Sequence, residues 1–181
     1  RLPKLLAWNQ ALYEKGWVGF SWPKDVGGGG GGLVEQMILK QECGDARAPM
    51  LGLSFMGLAW VGPGIIKYGT EEQKQKHLAP LASGKKLGCF GLTEPEAGSD
   101  AAAQKTVAVL KGDHYVINGK KNFITNGNVA DYCLLMAMTD KSQGYRGISS
   151  FILDCRAPGF SVGVLEKKLG IKASPTAVLV Y

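Results

Sequence analysis

The sequence predicts an α+β chain: an N-terminal α-helical domain over residues 1–87, then a mostly antiparallel β domain over 88–181. Three observations predict it. Apolar residues recur at helical spacing before residue 88 and alternate with period two after it. Breaking and capping signals bound the helical stretches. Two Asn-Gly dipeptides, which favour positive φ and tight turns, fall in the second half. At 181 residues, 45% hydrophobic and 20% charged, the chain has ample material for a core and is not wholly disordered. Its 26 glycines follow no G-X-Y period, which excludes collagen and indicates loops or close backbone approach.

Taken in order, Pro3 to Glu14 places Leu5, Leu6, Leu12 and Tyr13 on a largely apolar helix face, with Pro3 in the first turn. The six glycines Gly27–Gly32 break any regular element and read as a flexible surface connection. Leu33, Val34, Met37 and Ile38 then recur at helical spacing to about Ala46. A third helix is expected from roughly Leu51 to Tyr68, stopped by Gly69. Thr70-Glu71-Glu72-Gln73 is a capping box opening a helix through about Leu81. In the second half Thr106–Leu110, Tyr115–Ile117, Lys120–Thr125, Asp131–Met138, Gly147–Leu153 and Ala177–Tyr181 read as antiparallel strands, with turns at Asn118-Gly119 and Asn126-Gly127.

Charge and cysteine usage narrow the function classes. With 21 basic and 15 acidic residues the net charge is +6. The lysines are dispersed, which reads as a solvated basic surface rather than a nucleic-acid groove and suits attraction of phosphorylated small molecules equally well. Cys43, Cys89, Cys133 and Cys155 are far apart in sequence with no C-x-x-C, and only His77 and His114 could join them. They read as buried free thiols of a reducing compartment, not as a metal site. Ala48–Ile66 carries no charge, but its glycines and prolines favour a buried helix over a membrane span.

Three segments could carry chemistry. The glycine run formally matches a dinucleotide fingerprint, trivially so, since no parallel-strand pattern precedes it and no Gly-Lys-Ser/Thr follows. Phe90-Gly91-Leu92-Thr93-Glu94-Pro95-Glu96-Ala97-Gly98-Ser99-Asp100 is a strand end running into a turn fixed by Pro95 and opened by Gly98. Its amides could cradle an anion such as a pyrophosphate, or it could be an ordinary polar turn. Glu94 or Glu96 could be offered as a general base, although a carboxylate beside a solvated turn needs no such role. Lys121 to Gly127 is a strand end on which Phe123 and Thr125 share a face, fit either to grip a flat heteroaromatic ring or simply to pack in a sheet.

Thr93-Glu94-Pro95-x-Ala97-Gly98-Ser99-Asp100, followed by Phe123-Ile124-Thr125-Asn126-Gly127, resembles the acyl-CoA dehydrogenase flavoprotein family. So do Trp22-Pro23-Lys24 with Leu33-Val34-Glu35-Gln36, Tyr68 to Lys74, and Lys168 to Thr176, in family order along the whole chain. The resemblance implies FAD as cofactor. Phe90, Leu92 and Thr93 would line the isoalloxazine, Gly98 and Ser99 would meet the pyrophosphate, and Ser99 would also lie close to an acyl-CoA substrate. Phe123, Ile124 and Thr125 would flank the ring, Thr125 near N5. Phe123 stands where Trp is commoner, keeping an aromatic plane and losing the indole N–H. The implied activity is α,β-dehydrogenation of an acyl-CoA, with an electron-transferring flavoprotein as acceptor, in a homo-oligomer of the cytoplasm or mitochondrial matrix. An acyl-CoA oxidase or a non-catalytic FAD- or acyl-CoA-binding module are the alternatives. No residue matches the family's catalytic glutamate, which belongs to a C-terminal helical bundle. With Arg at position 1 and no such bundle, the sequence is expected to be a fragment, inactive alone.

Overall fold

The structure, a computed structural model, describes residues 2–49 and 52–181. Its chain divides into two compact units, Arg1–Leu87 and Gly88–Tyr181. The first is helical: α1 (Leu2–Glu14), α2 (Leu33–Asp45), α3 (Gly62–Tyr68) and α4 (Glu71–Ala82). α4 opens with the expected capping box, the Gln73 amide donating to Thr70 Oγ1 at 3.2 Å and the Thr70 amide to Gln73 Oε1 at 3.0 Å.

Two expectations for this unit need correction. The glycine run is not a flexible connection. Its amides are spent on the preceding loop, Gly28 to Pro23 O, Gly29 to Gly19 O, Gly30 to Trp22 O and Gly31 to Phe20 O, at 2.7–3.2 Å. A Cβ at Gly28 would lie 2.2 Å from the Trp22 carbonyl oxygen, and one at Gly31 2.1 Å from the Phe20 ring. The glycines are there because two strips of backbone lie against each other with no room for side chains. The third helix is also not uniform. A 3-10 turn (Gly52–Ser54) and a π-helical turn (Gly57–Val61) precede α3, while Leu51 lies outside the described residues. The Gly62 amide reaches back five residues to Gly57 O. Pro63, next in line, has no N–H to give and its ring would crowd a carbonyl one α-turn back, so the turn widens. Among the described residues no helix is long and apolar enough to cross a membrane.

The second unit has eight strands: β1 (Gly88–Gly91), β2 (Val107–Lys111), β3 (His114–Asn118), β4 (Lys120–Thr125), β5 (Tyr132–Met138), β6 (Ile148–Asp154), β7 (Ser161–Leu165) and β8 (Thr176–Val180). One sheet runs β1-β5-β2-β3 with β6 paired to β5, and a second runs β4-β8-β7. Cys89, Cys133 and Leu135 from the first meet Ile124, Ala177 and Leu179 from the second in one buried core. Most pairings are antiparallel, but β1 and β2 both run parallel to β5. β7, fully exposed along its length, offers no inside-outside alternation and escaped the sequence pattern.

Asn118-Gly119 does not close a hairpin. Asn118 still pairs with Val107 in the first sheet, whereas Gly119 exchanges backbone hydrogen bonds with Tyr181 beside the second. The chain switches sheets there, and a Cβ on Gly119 would strike Thr106 Oγ1 at 2.2 Å. The tight hairpin lies between β2 and β3 at Gly112-Asp113, where Gly112 takes φ 66°.

Candidate functional site

β1 leads straight into the first motif. Glu94 and Ala97 exchange backbone hydrogen bonds at 3.0 and 3.2 Å, closing a tight turn over Pro95-Glu96. Pro95 presets φ for the first turn position. Beyond it Gly98 and Ser99 are exposed, and their amides take no backbone partner among the described residues. A Cβ at Gly98 would meet nothing within 4 Å.

The second motif is the far end of β4, and it is bulged. Lys121 pairs with Leu179 and Ile124 with Ala177, so Asn122 and Phe123 together face Val178. Phe123 takes the doubled position at φ 58° and is 61% exposed. The Ile124 side chain is buried in the core, so only its main chain can face a ligand. Thr125, half-buried, pairs with Thr176, and Asn126 follows at φ 64°. The plain alternation that put Phe123 and Thr125 on one face is thus broken by the bulge.

These two motifs lie side by side. The Asn122 amide donates to Thr93 O at 2.8 Å, and Asn126 Nδ2 reaches Gly88 O at 3.4 Å. Beneath them Lys121, fully buried, donates to Leu92 O at 3.0 Å, Glu94 Oε1 at 2.8 Å and Gln104 Oε1 at 2.8 Å. Glu94 also accepts from the amides of Lys105 (2.6 Å) and Thr106 (3.0 Å). Burial pushes the Glu94 carboxyl up, but hydrogen bonds from Lys121, Thr106 and Lys105 outweigh it and hold the group below the ordinary carboxylate range. Burial pushes the Lys121 ammonium down, opposed by Glu94.

The sequence pattern does not reveal this network. Glu94 opens an exposed turn but is itself buried, and its oxygens are committed to fixed donors, which leaves it no role as a base. Glu96, the other candidate, is exposed and ion-paired with Lys105. The signal available was the Lys120-Lys121 pair: in a strand of alternating faces, one of two adjacent lysines must point inward and find an acceptor.

Three of the thiols, distant in sequence, converge in space. Cys89 faces Cys133 across β1 and β5, Cys155 packs against the same core, and Cys133 Sγ lies 3.5 Å from Tyr181 Oη. All four cysteines are free. Among the described residues no group of histidine, cysteine and carboxylate side chains could hold a metal ion.

Comparison with known proteins matches residues 2–85 to the acyl-CoA dehydrogenase N-terminal domain and residues 89–181 to the acyl-CoA dehydrogenase middle domain. A short-chain specific acyl-CoA dehydrogenase of Clostridium acetobutylicum is 48% identical over 172 residues, 93% of this chain and 44% of its own. Butyryl-CoA dehydrogenase of Megasphaera elsdenii superposes with a TM-score of 0.82 at 43% identity, covering 96% of this chain and 46% of that one. A chain in a solved structure of the electron transferring flavoprotein of Acidaminococcus fermentans superposes at 0.83 with 45% identity, over 96% and 46% of the two chains. The chain therefore spans under half the length of these relatives. Matched in domain order along nearly all of its residues, it belongs to the acyl-CoA dehydrogenase family.

Proposed function

We propose that this chain supplies the flavin-gripping part of an FAD-dependent enzyme that desaturates an acyl-CoA thioester between its α and β carbons. The single observation that carries the proposal is the hydrogen bond from the Asn122 amide to Thr93 O, which puts the two family motifs edge to edge. The residues suit the cofactor. An exposed aromatic at Phe123 offers a flat face, Phe90 and Leu92 offer apolar, half-buried contact, and the exposed Gly98 and Ser99, whose amides take no backbone partner among the described residues, would hold a pyrophosphate.

FAD, when bound, supplies the acceptor for the hydride that leaves the substrate β-carbon. The chain's own residues orient and stabilise. Thr125 and Thr93 would each offer a hydroxyl to the ring edge, Thr125 toward N5, where negative charge builds on reduction. Ser99 would serve both the pyrophosphate and the acyl-CoA. The α-proton must leave to a base, and none of these residues is given that role. The likeness to the Acidaminococcus fermentans chain supports an electron-transferring flavoprotein as the acceptor.

The full-length enzyme carrying this chain, purified with FAD, is expected to be yellow and to be bleached anaerobically by an acyl-CoA. A protein that takes up no flavin overturns the proposal. Thr125→Val, which removes one hydroxyl without changing shape, is expected to slow flavin reduction about tenfold, worth ~1.4 kcal/mol. Stopped-flow absorbance checks it, and an unchanged rate takes Thr125 out of the site.

A further inference from the structure

We propose that Lys121 is the positioning residue of the flavin slot: touching neither cofactor nor substrate, its buried ammonium sets the separation between the turn after β1 and the bulged end of β4. This rests on the FAD reading above. An ammonium has three N–H bonds, and each finds an acceptor on a different residue, at Leu92, Glu94 and Gln104. Leu92 belongs to the first motif, and Glu94 pins the start of β2 through the Lys105 and Thr106 amides. Lys121 itself sits one residue before Asn122, whose amide holds Thr93.

The bulge is thereby clamped at both ends, by Lys121 on one side and by the core side chain of Ile124 on the other. The doubled residue has nowhere to go but outward. A phenylalanine adopts positive φ rarely, and here the two anchors impose it, leaving Phe123 exposed next to the strip that carries Thr93. An apolar side chain could fill the same volume without desolvating a charge, but it could not hold three carbonyl-type oxygens at fixed directions.

The test compares Glu94→Gln with the double variant Lys121→Met/Glu94→Gln in the purified protein, by FAD titration, visible flavin spectrum and urea unfolding. Glu94→Gln keeps an acceptor for the ammonium and should bind FAD within about threefold of the parent. The double variant removes the donors without stranding a buried carboxylate. It should unfold cooperatively, bind FAD at least tenfold more weakly, and show a flavin band shifted toward that of free FAD. Parental affinity and spectrum in the double variant overturn the proposal, as does an equal loss in Glu94→Gln alone, which would make the carboxylate charge the cause. Loss of cooperative unfolding in the double variant makes Lys121 a folding residue and overturns it too. A parent that takes up no FAD is a different failure, that of the flavin reading, and the inference falls with it.

Discussion

One helix of the first unit and one network of the second treat polarity in opposite ways. α2 leaves its apolar side chains outside: it buries no residue, and Leu33, Val34, Met37 and Ile38 are all more than half exposed. The β unit takes charge inside, with Lys121, Glu94, Gln104 and Thr106 all buried. Helical spacing of apolar residues therefore forecast a helix correctly at α2 while saying nothing of what covers its face. In the β unit the most informative buried residue is one that hydropathy assigns to the surface. Periodicity reports the local element; the tertiary environment decides which face is wet.

Truncating a leucine in each unit tests the contrast most severely. Leu179→Ala, in the core between the two sheets, is expected to cost about 2–5 kcal/mol, whereas Leu33→Ala, at 73% exposure on α2, should change stability by less than ~0.5 kcal/mol. All four tryptophans lie before residue 88, so their fluorescence follows the helical unit, and amide exchange in β5 and β8 follows the other. Equal losses from the two substitutions would mean that α2 is not exposed in solution.

Gly28→Ala comes next. Its Cβ would press on the Trp22 carbonyl, and the expected loss is about 1–3 kcal/mol, read as a lower urea midpoint by tryptophan fluorescence. A neutral result would restore the flexible-connection view of the glycine run.

Acid should separate the units as well. Glu94 has a folded-state pKa below its unfolded one, so its contribution is complete above the ordinary carboxylate range and is lost as pH falls through the lower folded value. Urea midpoints of the β unit, measured from pH 6 to pH 3, should fall in that window, and Glu94→Gln should flatten the fall. A variant with the parental slope would show that other carboxylates carry it.

The smallest effect has the opposite sign. Gly44, near the end of α2, has open space where a Cβ would go, so Gly44→Ala should stabilise the helical unit by ~0.5–1 kcal/mol, visible as a raised thermal midpoint. Destabilisation there would mean that Gly44 meets a neighbour.

The α+β class, the capping box at Thr70, the limits of β4 and the pairing of two motifs into one family likeness were all readable from the residues, because each rests on local spacing. Three features were not. The bulge at Asn122-Phe123 depends on a pairing register with β8, more than fifty residues away in sequence. The parallel partnership of β1 with β5 follows from topology, since a four-residue strand has too few positions to show a period. The sheet switch at Gly119 looked like a turn because Asn-Gly carries the turn signal, while the true constraint there is contact with Thr106. At the site, the family likeness put Thr93, Phe123, Ile124 and Thr125 forward together; the Ile124 side chain lies in the core, so it is the main chain of that residue that can face a ligand.

The thiol group at the centre of the β unit gives the molecule a built-in clock. Cys43 and Cys155 are partly accessible, while Cys89 and Cys133 are sealed, so an alkylating reagent meets two classes of sulfur in one chain. The sealed pair can be labelled only while the sheets part. The rate at which the third and fourth mass increments arrive therefore reports how often that happens, with no residue changed.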